Sequence, residues 1–555
     1  MKSFSFVIAI GFAAAFEAPS ALAQAPVPVA VLNPASNVPS GLPTSGIAQG
    51  SIFVIYGANL GPAILAQAAA LPLPTTAGLS GTSIQVTVGG STLPAPIVYT
   101  SATQVAGVLP SKIPVGTGTL TVTYNGQTGS TPISVVASNF GISTVSQSGI
   151  GPAVVSRPDY SVISVTNSAR PGETLVIWGT GLGAIPTDDA ATPVPTDLGT
   201  PIRVFLGTQE VAVTYRGRSG FPGLDQINIV VPRTSDLGCY ESLLVQSKST
   251  VSNFTTLPVA AAGGTCTDST GIPLQDLNPF LSRGFVRIGQ VVVETVSTGL
   301  PASGPIPAAT TTTSIGGAFF SKFNTAELIQ SENLTGQPSA GSCSVSYAAA
   351  NLASVGDNPV PPIQSTAFTG LNAGTSLSLV GPVSFAMAPV SGFLGIYIAS
   401  LKGALPGGTY LVSNGSGGSD VRSFSATFHF PQFLVWTNQA EASTVDRTAP
   451  FTVTWTGGDP TGYVVISGAS VASTTPVLGA AFVCTAKVAA GKFTIPAAVL
   501  LSLPAGQSIS STGSSSSNGI LSLESFSTLQ KFQAPGLDLG YALSGSSATV
   551  IMTFK

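Results

Sequence analysis

Gly50-Ser-Ile-Phe-Val-Ile-Tyr-Gly-Ala-Asn-Leu-Gly61 recurs as Gly172-Glu-Thr-Leu-Val-Ile-Trp-Gly-Thr-Gly-Leu-Gly183, 122 positions later and without a gap. Gly50, Val54, Ile55, Gly57, Leu60 and Gly61 have identical partners. A period this long, built from strand-forming residues and turn glycines, predicts two copies of one small β-domain. Working outward, Ile202-Arg-Val-Phe-Leu206 answers Ile84-Gln-Val-Thr-Val88. Gln226 to Pro232 answers Gln104 to Pro110 at the same offset. Thr119 to Tyr124 alternates apolar and polar residues and runs into Asn125-Gly126, a strong hairpin signal. Ile133 to Val136 is the expected return strand.

Within the repeated stretch, Gly57, Asn59 and Gly61, with Gly179, Gly181 and Gly183, read as structural turn residues. Gly179-Thr-Gly-Leu-Gly183 has the look of a dinucleotide loop, but such a loop needs a helix behind it to hold the pyrophosphate. Pro186, Pro193 and Pro195 discourage one. Asn59 stands opposite Gly181, and Asn and Gly interchange where a turn requires positive φ. No cofactor is expected.

Only 7% of residues are charged, against 63 Gly and 43 Pro. With a mean hydropathy of +0.44, this excludes solvated disorder and favours many short buried strands joined by turns. Net charge is −3 and no basic cluster exists, which argues against nucleic acid and anionic membranes as partners. Lys2, the apolar run Phe4 to Phe16 and Ala21-Leu-Ala23 predict a secretory signal cleaved before Gln24. No membrane insertion is expected after cleavage. From Gln24 to Pro158 the only charged side chains are Lys112 and Arg157.

The four cysteines suit an oxidising compartment. Cys239 and Cys266 fall near the close of the second repeat and are the expected disulfide. Cys343 and Cys484 are either a second pair or two free thiols. No metal site is expected, because no Cys-x-x-Cys spacing exists.

The resulting organisation is a signal segment (1–23), a linker (24–45), a first repeat (46–137), a bridging hairpin (138–167), a second repeat (168–262) and a linker (263–280). Two further β-sandwich domains are expected at 281–430 and 431–555. Ala497 to Leu503 is the one short helix expected.

Val54 to Gly61 and Val176 to Gly183 resemble the start of IPT/TIG immunoglobulin-like domains. Val86-Thr-Val-Gly-Gly90, Gln104 to Pro110, Thr123-Tyr-Asn-Gly126 and Ser252-Asn-Phe254 extend the resemblance to exported bacterial repeat proteins over roughly residues 40–262. It implies an all-β chain of tandem immunoglobulin-like, Greek-key β-sandwich domains. It implies no defined activity.

Catalytic constellations are scarce. The chain has one histidine, His429, on a strand where Phe424, Phe428 and Phe430 mark the opposite face. Ser-x-x-Lys and Gly-x-Ser-x-Gly nucleophile patterns are absent. Asp188, Asp189, Asp197, Asp225, Glu327, Glu332, Asp420 and Asp459 leave a carboxylate pair open as a glycosidase route, although each sits where Asp or Glu serves a turn. Trp178, Trp436 and Trp455 could stack sugars, but their apolar strand neighbours point to core packing. Arg216, Arg218, Phe221 and Asp225 form the densest polar-aromatic group of either repeat. They read as a candidate ligand loop or as an ordinary variable hairpin tip.

The function expected is a non-catalytic exported protein for adhesion, matrix or glycan binding, with an uncharged glycan or another surface or matrix protein as partner. The alternatives are a polysaccharide-active hydrolase with its carboxylates after residue 275, and a structural spacer of a surface assembly.

Overall fold

The computed structural model describes residues 24–555 apart from 235–236, 268–271, 301–308, 329–337, 350–367, 475–476, 507–508, 512–513 and 517–518. The expected signal segment, Glu332 and part of each Gly- or Ser-rich break lie outside the described residues.

The chain is all-β. In the first repeat two five-stranded sheets face each other. One runs Val27–Leu32, Ile52–Ala58, Gln104–Val108, Ile97–Thr100, Ala66–Gln67, and the other Ile47–Ala48, Gln127–Val136, Gly116–Tyr124, Thr82–Val88, Ser91–Pro94. Period-2 alternation sends Phe53 and Ile55 inward against Ile84, Val86, Leu120 and Val122. Val54 and Tyr56 point to the other side of the same sheet. Asn125 and Gly126 both have positive φ (49° and 81°), which matches the right-handed twist of the hairpin they close.

Residues 24–45 are not a linker. Val27–Leu32 pairs antiparallel with Ile52–Ala58 as the sheet's edge strand, with a bulge between Pro28 and Ala30. Proline lacks an N–H, so an edge strand with a bulge is where a sheet tolerates it. Residues 138–167 are likewise not a separate hairpin. Gly141–Ile142 and Val155–Ser156 both pair with Thr174–Thr180 and belong to the second repeat's sheet.

The second repeat differs from the first at one corner. Gln209–Arg218 is a single ten-residue strand with a bulge between Val213 and Tyr215. One end pairs with Arg203–Leu206 and the other with Asp225–Val230, so it passes from one sheet to the other. In the first repeat Pro94 and Pro96 break the chain there, and two short strands replace it.

Asn59 (φ 56°), Gly181 (φ 118°) and Gly183 (φ 129°) occupy the left-handed region. Gly57 and Gly179 do not form the turn. Each is inside a strand, where a Cβ would strike the backbone carbonyl of Val27 or of Gly141. These two glycines let the edge strands come close. Ser138-Asn-Phe140 is a twin of Ser252-Asn-Phe254 that sequence reading passes over. Asn253 Nδ2 donates to Ala35, Ile142 and Gly149 carbonyls, and Asn139 Nδ2 to those of Thr44 and Gly46.

The second half is not two separate domains at 281–430 and 431–555. Phe285–Leu300 lies parallel to Leu539–Phe554 and antiparallel to Ala309–Asn324. These three 16-residue strands are the middle of one continuous sheet. Leu539–Phe554 serves two cores, Ala542 packing with Phe320, Tyr410 and Phe424, and Met552 and Phe554 with Trp436, Trp455 and Phe482. Leu244, Val251 and Phe254 of the second repeat join the latter core. Disulfides link Cys239 to Cys266 and Cys343 to Cys484. The second joins residues directly opposite on neighbouring strands. The short helix forms at Ala497–Leu501.

Candidate functional site

The candidate ligand loop turns inward. Arg218 is 1% and Asp225 0% exposed, and they form an ion pair. Arg218 Nη2 donates to the carbonyls of Gly50 in the first repeat (2.6 Å) and Gly183 in the second (2.8 Å). Asp225 Oδ2 accepts from Gly181 N and Leu182 N. Phe221 packs with Leu73, Val108 and Ala190. Arg216 lies 3.6 Å from Asp197. Arg218, held by Asp225, and Phe221 join the two repeats and are not free for a ligand, whereas Arg216 and Asp197 pair within the second repeat. A sequence cannot distinguish the two uses, since a charged hairpin tip looks alike whether it meets solvent or a neighbouring domain.

Asp189 reinforces the same junction by accepting from Ser111 N (2.7 Å) and Ser111 Oγ (2.6 Å). Burial pushes its carboxyl up, against the pull of the two Ser111 donors. Thr180 Oγ1 accepts from Ile52 N and donates to Gly223 O.

Beside this junction an open cleft of about 530 Å³ lies between the repeats. One wall is the outer sheet face of the first repeat, carrying Val54, Tyr56, Tyr99 and Gln104. The other is the turn of the second repeat with Ser143, Thr144, Ser146 and Gln147, together with Thr180 and Leu224. Not one lining residue is charged. Tyr99 Oη donates to Gln104 Oε1 at 3.1 Å, and burial pushes its phenol up. Aromatic rings, amides and hydroxyls in a cleft of ligand size suit an uncharged, hydroxyl-rich molecule. Tyr56 is legible in the sequence as a repeat position. Gln104 is a repeat position too, answered by Gln226, whereas Tyr99 and Gln147 give no signal there, because the docking of the repeats brings them together.

The carboxylates accept from backbone N–H groups, some local and some distant in the chain. Asp188 accepts from Ala190 N, Asp197 from Gly199 N, Asp420 from Asn372 N, and Asp459 from Thr461 N and Thr528 N. Besides the adjacent Asp188 and Asp189, whose charges repel, one further carboxylate pair interacts among the described residues, and it is not among the sequence candidates. Burial pushes the Glu524 carboxyl up and the charge of Glu294 adds to it. The two flank Leu539–Phe554 on neighbouring strands. Neither lines the inter-repeat cleft or a second cleft of about 630 Å³ between Phe205 and Leu501. His429 is exposed on its strand. Among the described residues no cluster of three or more His, Cys, Asp or Glu could hold a metal ion, and no helix is long and apolar enough to cross a membrane.

Trp436 and Trp455 are core residues. Trp178 is not. It lies half-buried on the outer face of its sheet, with Nε1 donating to Ser156 Oγ at 3.0 Å.

No family model matches the chain, and no curated protein matches it. Several solved structures share a distant likeness. The plexin A4 extracellular region is 14% identical over 38% of this chain, which spans 16% of it, with a TM-score of 0.13. Titin Ig tandem domains A164–A165 are 9% identical over 39% of this chain and 90% of theirs, with a TM-score of 0.12. SGBP-B from a complex xyloglucan utilization locus in Bacteroides uniformis is 13% identical over 68% of this chain and 86% of its own, with a TM-score of 0.14. Identities and TM-scores this low carry no argument about function.

Proposed function

We propose that the chain is an exported, non-catalytic binding protein whose inter-repeat cleft takes an uncharged glycan. The observation that carries this reading is the cleft lining, in which Tyr56, Tyr99, Gln104 and Gln147 meet several hydroxyls and no charge. Two disulfides fit an oxidising compartment outside the cytosol. A glycan array on the purified protein identifies ligands, and equilibrium titration measures them. Tyr99→Ala and Gln104→Ala should each weaken binding by about tenfold, or about 1.4 kcal/mol. Affinity should change little between low and high salt, because no ion pair is made. Unchanged affinity in both variants, or a steep loss with salt, refutes the reading.

A further inference from the structure

Trp178 occupies in the second repeat the position that Tyr56 holds in the first, and its surroundings are unlike a core. Its ring lies near-parallel to that of Tyr160, at 23°, with centroids 6.4 Å apart. That separation and tilt make the two rings an offset stacked pair. Tyr160 is 74% exposed and has φ 66°.

A left-handed tyrosine presented to water needs a structure that imposes it. Here Tyr160 N donates to Arg157 O, and Arg157 N to Ser161 O. Asp159 Oδ1 accepts from Ser161 N and Ser161 Oγ. Arg157 is itself anchored to Glu173, Asn167 and the Ser168 carbonyl. The charges of Arg157 and Asp159 are thereby spent on holding the turn, and the Tyr160 ring beside Trp178 is left exposed.

Gln226 is the cross-strand partner of Trp178, and Asn228 is next on the same face. Gln226 is half-buried, with its side chain on the face that carries Trp178, and Asn228 Oδ1 is buried without accepting a hydrogen bond. The Gln226 amide beside two offset aromatic rings forms a surface that matches one chemistry. Equatorially substituted pyranoses present an apolar C–H face for the rings and hydroxyls at the edge for the amide.

We propose that Trp178, Tyr160 and Gln226 form a second carbohydrate surface, which takes the flat face of an uncharged β-1,4-linked polysaccharide. This surface stands or falls separately from the inter-repeat cleft.

The three tryptophans give a direct readout, since Trp436 and Trp455 are buried and only Trp178 is near solvent. The folded full chain is titrated with cellohexaose, xylohexaose and mannohexaose while tryptophan emission is followed. At least one should shift and quench the emission saturably, and maltohexaose, which is curved, should bind at least tenfold more weakly. Tyr160→Ala should weaken binding about tenfold, and because Tyr160 is exposed the variant should keep its melting temperature. Trp178→Phe should abolish the emission change. Tyr99→Ala should leave it intact while affecting only the cleft. No emission change with any of the three sugars, or equal affinity in Tyr160→Ala, overturns the proposal. Loss of the signal in Tyr99→Ala also overturns it, by assigning the emission change to the cleft.

Discussion

Arg218 and Asp225 form an enclosed ion pair whose guanidinium also clasps one carbonyl from each repeat, Gly50 and Gly183. The pair bridges the two sandwiches beside the cleft. Arg218→Met leaves Asp225 charged and uncompensated inside the protein. It should cost about 3–5 kcal/mol of stability in urea unfolding. Adding Asp225→Asn removes the stranded charge and should restore part of that loss. A cost below about 1 kcal/mol would show that water reaches Asp225 and that the junction is loose.

Asn253 is a second clasp. Its amide donates to three carbonyls, Ala35, Ile142 and Gly149, and its Oδ1 accepts from Ile142 N. Asn253→Ala strands buried backbone groups and should destabilise by about 2–4 kcal/mol. Asn139→Ala, which loses two bonds from a shorter reach, should cost less. Equal effects in thermal melts would rule out the idea that bond number sets the difference.

Glu524 gives a pH signature. Burial, then the charge of Glu294, raises its carboxyl above the ordinary glutamate value. A raised folded value means that the folded chain holds the proton more tightly than the unfolded chain. Stability from this group is therefore present at low pH and declines as pH rises through the folded value. Glu524→Gln should raise the melting temperature by a few degrees at pH 7, and the gain should disappear near pH 4. A gain of the same size at both pH values would mean that the effect is not electrostatic.

Asp159 works in the opposite sense. Its bonds from Ser161 N and then Ser161 Oγ hold the carboxyl below the ordinary aspartate value. What it contributes to the Tyr160 turn is present above the unfolded aspartate value and is lost as pH falls through the folded one. Trp178 emission should thus be constant from pH 8 to pH 5 and change only on further acidification. Asp159→Asn should show the acid-state emission already at pH 7. A midpoint near pH 6 would point to some other group.

Much of the architecture is written locally. Alternation over Thr119 to Tyr124 and a positive-φ pair at Asn125-Gly126 need only neighbouring residues, so period and turn chemistry reveal the hairpin. The repeat at Gly50 and Gly172 announces two like sandwiches for the same reason. Cys239 and Cys266, 27 positions apart, are close enough in the chain to pair on paper.

What the sequence could not decide is which face of each strand a distant segment would cover. Alternation assigns two faces to Ile52–Ala58 and to Thr174–Thr180, but it does not say that the outer face carrying Tyr56 lines a cleft while that carrying Trp178 meets solvent. The docking of the repeats decides that, through Arg218, Asp225, Asp189 and Asn253. Val27–Leu32 reads as a proline-rich lead-in until Ile52–Ala58 offers it an edge, and 431–555 reads as its own domain until Leu539–Phe554 lies parallel to Phe285–Leu300. Parallel pairing requires no local turn, so nothing near either strand in the chain announces it. Secondary structure here follows from neighbours in sequence, and the candidate site follows from neighbours in space.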